Sequence, residues 1–137
     1  VAASRILFES GVPLVYFPGY YIGAQLRVSL PEIERWVRGF GPTGDFLHEL
    51  YTNNPLHEQR AIPDHFGRTW VMWDMITIAW LLEPSWVPTS LVPTPTLDDD
   101  LRWTPRLGTE RLMREAHDID RDAIFRDFFR KLEKSAQ

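Results

Sequence analysis

Apolar residues fall along this chain in short blocks, and the densest block runs from Gly67 to Trp86. Between Val71 and Leu82, ten of twelve residues are apolar, and the exceptions are Asp74 and Thr77. A helix that is apolar on nearly every side is favourable only when several of its faces are buried. Twelve residues are too few to span a bilayer, so the pattern predicts a helix inside a protein core. Asp74 is the anomaly in it. A carboxylate among hydrocarbons must find hydrogen-bond donors, a cation or a metal, or stay protonated.

The flanking blocks are shorter. Ala2–Glu9 carries apolar residues four apart and predicts a helix, with Gly11 as its stop. Val12–Phe17 has little alternation and reads as a buried strand. The break Pro18-Gly19-Tyr20-Tyr21 then sets two tyrosines at that strand's carboxyl end, where open α/β sheets bind ligands. Tyrosines that merely pack a loop give the same pattern. Ser29 and Glu32 form a capping-box pair with Pro31 in the first turn, opening a helix whose stripe is Ile33, Trp36 and Val37. Gly39 and Gly41 end it, and Phe46, Leu47, Leu50 and Tyr51 form a second stripe. Residues 53–69 lack periodicity and read as a long surface loop leading into the buried helix. His57, Asp64 and His65 lie in that loop. Their spacing matches no common metal pattern, and solvated histidines are the plainer reading.

Beyond Glu83-Pro84 the chain carries three prolines among Val, Leu and Thr up to Thr96, which suits an edge strand. Asp98-Asp99-Asp100 reads as a solvated turn, with a metal site as the alternative. Leu101–Trp103 and Leu112–Ala116 are expected to pair as a hairpin across Pro105-Arg106-Leu107-Gly108. Asp118 or Asp120 caps a last helix, with Ile124, Phe125, Phe128, Phe129 and Leu132 on one face and an Asp127–Lys131 pair on another. Helices alternating with short apolar strands predict α/β layers.

With 137 residues and 44% apolar content, the chain fits one domain with a real core. Net charge is −4 with acids and bases interspersed, so no nucleic-acid footprint is present. The absence of cysteine excludes disulfides and thiolate metal sites. No signal peptide, membrane span or lipidation motif is seen, so a cytoplasmic protein is expected. The chain opens in helical pattern without an initiator Met, as though entered partway through an element.

Four pieces in order carry a resemblance: Ala3 through Leu14; Ser29-Leu30-Pro31-Glu32; Trp73-Asp74 with Ile78 through Pro84; and Asp118 through Phe125. Together they resemble the C-terminal half of the inosine/uridine-preferring nucleoside hydrolases, across essentially the whole chain. The resemblance implies part of an open, mostly parallel α/β sheet with flanking helices. It also implies calcium at the strand ends and cleavage of the N-glycosidic bond of ribonucleosides. By it, Asp74 falls on a calcium-ligating aspartate and Trp73 on a position often held by a catalytic histidine acid. Indole cannot donate a proton in that way, so no catalytic residue is assigned. Tyr20 and Tyr21 are the candidate nucleoside-binding residues, although the family often has a polar segment where Gly19 through Gly23 stand. The aspartate-rich motif that supplies most metal ligands belongs to an N-terminal half not in this sequence. One carboxylate cannot hold calcium, so the chain alone is expected to be inactive. The alternative is a truncated, non-catalytic relative acting as a homo-oligomeric binding or assembly module. In either case an uncovered sheet edge and helix call for a second copy or the missing half as partner.

Overall fold

The computed structural model describes residues 1–61, 64–106, 108 and 111–137, and local signals lay down most of its elements.

Helix α1 (Ala2–Glu9) ends at a serine cap, and Gly11 follows at φ 78°, a backbone geometry that glycine adopts without a Cβ penalty. Strand β1 is short (Val15–Tyr16), and the chain then turns into β2 (Arg27–Ser29). Ser29 caps α2 (Leu30–Trp36) with both capping-box bonds made, as the sequence predicts. Helix α3 (Gly41–Thr52) packs back on α2 where Gly44 lets the backbones approach: a Cβ there would collide with the Val37 carbonyl oxygen. A short α4 (Pro55–Gln59), capped by Asn54, precedes β3 (Thr69–Val71) and α5 (Met75–Leu82). Strands β4 (Thr89–Pro93), β5 (Thr96–Leu97), β6 (Trp103–Thr104) and β7 (Leu112–Ala116) lead to α6 (Arg121–Ser135). Asp120 is the residue that caps α6, accepting from the Ala123 amide at 2.9 Å.

The main sheet has the order β1-β7-β4. Its β1–β7 pairing is parallel, and β4 adds an antiparallel edge to β7. With helices around this open sheet the chain is an α/β fold. Strands β2 and β3 form a separate antiparallel ladder, as do β5 and β6. The core gathers Leu26, Val28, Ile33, Val37, Ile76, Val87, Ile124 and Phe125, joining β2, α2, α5 and α6. No helix among the described residues is long and apolar enough to cross a membrane.

Four expectations are corrected. The helix starts at Met75 because Val71 belongs to β3, and it is not buried on several faces. Only Ile76 and Ala79 are buried, whereas Ile78, Leu81 and Leu82 are 57, 69 and 55% exposed, because the core touches one side of α5 only. The predicted buried strand is a two-residue edge with Val12 and Tyr16 exposed, since β7 is its single neighbour in the sheet. Residues 53–69 contain α4 and a buried His57 rather than a featureless loop. Last, β6 pairs with β5, and β7 pairs with β1 and β4, so the expected hairpin between Leu101–Trp103 and Leu112–Ala116 does not form. Leu107 of its turn lies outside the described residues.

Candidate functional site

The end of β1 runs into a tight turn in which the Ile22 and Gly23 amides both donate to the Pro18 carbonyl at 3.0 Å. Small residues in this turn admit a large neighbour. A Cβ on Gly19 or Gly23 would stand 3.8 or 3.7 Å from the Trp73 ring, so the indole rests on the turn at van der Waals distance. Tyr20 meets the same indole edge-on, with ring centroids 6.4 Å apart. The Met72 amide donates to the Leu26 carbonyl at 2.8 Å, which fixes the approach of β3 and sets Trp73 and Asp74 at the start of α5.

Asp74 is exposed, which overturns the reading that its carboxylate is lodged among hydrocarbons. Its backbone carbonyl accepts from the Thr77 hydroxyl at 2.9 Å, but its side chain makes no cap bond. Among the described residues it also has no ion-pair partner. The alternative of a carboxylate satisfied by backbone donors therefore falls too. Asp74 thus flanks the site at the start of α5, its side chain exposed.

Behind Trp73 lies a cavity of about 550 Å³. Its floor is built by α4, which places His57 edge-on to Trp70 (4.8 Å) and to His65 (4.7 Å), while His65 tilts against Tyr51 at 5.4 Å. Burial holds the His57 imidazole below its ordinary range, and the neighbouring His65 deepens the depression. Asp64 takes no part, because its carboxylate accepts from the Phe66 amide at 2.9 Å. Arg27, Arg60 and Arg68 also line this cavity. Sequence reasoning missed them; for Arg60 and Arg68 the available signal was the mixture of arginine, histidine and aromatic residues between positions 57 and 73, while Arg27 on β2 joins them only through the fold.

The two candidate tyrosines separate. Tyr20 lines the cavity behind Trp73, while Tyr21 lines a second cavity of about 650 Å³ with Phe8, Tyr16 and Trp103. Asp98-Asp99-Asp100 is a structural turn: Asp98 accepts from the Arg102 amide, and Arg5 pairs with Asp99 at 2.8 Å.

Calcium takes roughly six to eight oxygen ligands. Among the described residues no three His, Asp or Glu side chains are grouped to hold an ion. The described residues therefore do not fit a calcium site by themselves.

No family model matches the chain, and no curated protein matches it. Solved structures do. The purine-preferring ribonucleoside hydrolase of Gardnerella vaginalis superposes with a TM-score of 0.71 at 21% identity, covering 98% of this chain and 44% of that one. The plant nucleoside hydrolase PpNRh1 gives a TM-score of 0.70 at 15% identity, with the same two coverages. The chain thus has a partial nucleoside hydrolase fold and spans less than half the length of these neighbours. At such identities the likeness is one of fold.

Proposed function

We propose that the chain forms the C-terminal part of a nucleoside hydrolase-like site, with Tyr20 and Trp73 contacting a nucleoside and Asp74 supplying one ligand to a calcium shell completed from outside these 137 residues. The observation that carries this reading is the Tyr20–Trp73 aromatic pair at the carboxyl end of β1 in a chain whose fold matches part of a nucleoside hydrolase; Asp74, next in sequence to Trp73, stands exposed at the start of α5. Alone, the chain has neither the oxygen set for calcium nor a proton donor at Trp73, so it is not expected to cleave nucleosides. A cytoplasmic location belongs to the same proposal.

The test compares the 137-residue chain with the native protein, whose size and partner content are determined first. Millimolar calcium should leave the melting temperature of the chain unchanged, since a ligand stabilises only what it binds. The native protein should be stabilised by calcium, and Asp74→Asn should remove that effect. Calcium stabilisation that survives Asp74→Asn refutes the assignment.

A second reading has its own support. The uncovered Ile78, Leu81 and Leu82 face and the open edge of β1 suit a homo-oligomeric assembly module. Sedimentation of the chain alone as a dimer, lost in Leu81→Glu, favours the module; a monomer favours the completed site.

A further inference from the structure

We propose that the cavity behind Trp73 takes a nucleoside monophosphate, its base on the Tyr20–Trp73 aromatic pair and its phosphate among Arg27, Arg60 and Arg68. This rests on the nucleoside-binding reading and adds the ligand's charge to it. The three arginines line one concavity to which no carboxylate contributes among the described residues. Among the described residues none of them forms an ion pair, whereas Arg5, Arg38, Arg106 and Arg121 each pair with an acid. The convergence stands out in a chain of net charge −4. Like charges gathered without a counter-ion repel one another, and an anion relieves that repulsion.

The chemistry of the wall narrows the anion. Arg60 lies over the Trp70 ring with its guanidinium carbon 5.5 Å from the centroid. Stacking occupies the face of the guanidinium and leaves its edge N–H donors for a planar or tetrahedral oxyanion, which they bind in pairs. A carboxylate would satisfy such donors equally. The aromatic end selects further, because exposed indole and phenol rings are platforms for a flat base. A volume of about 550 Å³ lies in the range of small-molecule pockets. A ligand with a flat ring at one end and a dianion at the other meets both halves of this wall.

Calorimetric titration of the full chain with adenosine, adenosine 5′-monophosphate, ribose 5-phosphate and inorganic phosphate tests this. The monophosphate should bind at least about tenfold more tightly than the nucleoside, as charge-assisted bonds to arginine predict. That margin should shrink with added salt and in Arg60→Gln and Arg68→Gln, both at exposed positions. Tyr20→Ala should weaken nucleoside and monophosphate alike and keep the margin. Equal binding of adenosine and its monophosphate overturns the phosphate assignment and leaves the nucleoside reading standing. Binding of ribose 5-phosphate as tight as that of the monophosphate, with adenosine silent, overturns the nucleoside reading and this proposal with it. Silence of all four probes overturns the monophosphate proposal, while the nucleoside reading is decided by the calcium test on the native protein.

Discussion

Replacing Glu32 with Ala removes the point at which three elements are tied. One carboxylate oxygen accepts from the Ser29 amide and hydroxyl, both at 2.7 Å, and the other accepts from Arg121 at 2.5 Å. Arg121 also donates to the Arg27 carbonyl, so the start of α2, the start of α6 and β2 share this pair. Losing the capping-box bond costs about 1 kcal/mol. The ion pair is about a third exposed on both sides, which limits its part to about 1 kcal/mol. Together, about 2 kcal/mol lowers the melting temperature of a chain this size by roughly 8 °C. Burial alone would raise the Glu32 carboxyl, but the bonds from Ser29 and Arg121 outweigh it and hold the group below its ordinary 4.5. Its folded-state value is the lower one, so its stabilisation is complete above the unfolded value and is lost as pH falls through the folded value. Urea denaturation of both proteins should therefore show a deficit near neutral pH that narrows in acid. A deficit under about 0.5 kcal/mol, or one equally large in acid, refutes the account.

Two further outcomes are expected. Gly44→Ala drives a methyl into the Val37 carbonyl and should cost about 1–3 kcal/mol, read as a lower urea midpoint; an unchanged midpoint shows that α3 is not held this close. The His57 value lies below its ordinary 6.5, so the unfolded chain takes up a proton that the folded chain refuses as pH drops past 6.5, and stability falls there. His57→Gln should flatten that slope, and an unchanged slope assigns the proton uptake elsewhere.

What the sequence determined alone are the features closed within a few residues. The Ser29–Glu32 box, the Asp120 cap, the stop at Gly11 and the α6 stripe depend on hydrogen bonds and periodicity spanning one or two turns. Tyr20 beside the strand end was legible for the same reason, whereas the local pattern put Asp74 inside a helix that in fact starts at Met75. Tertiary structure decided the rest, because each remaining feature depends on which distant surfaces meet. Whether Asp74 and the apolar face of α5 are covered depends on neighbours, and composition cannot report a neighbour's absence. Strand β6 chose β5 over β7, and His57 went under Trp70, through contacts that no local pattern encodes. The gathering of Arg27, Arg60 and Arg68 is of this kind: three charges scattered over some forty positions become one site only when β2, α4 and β3 converge.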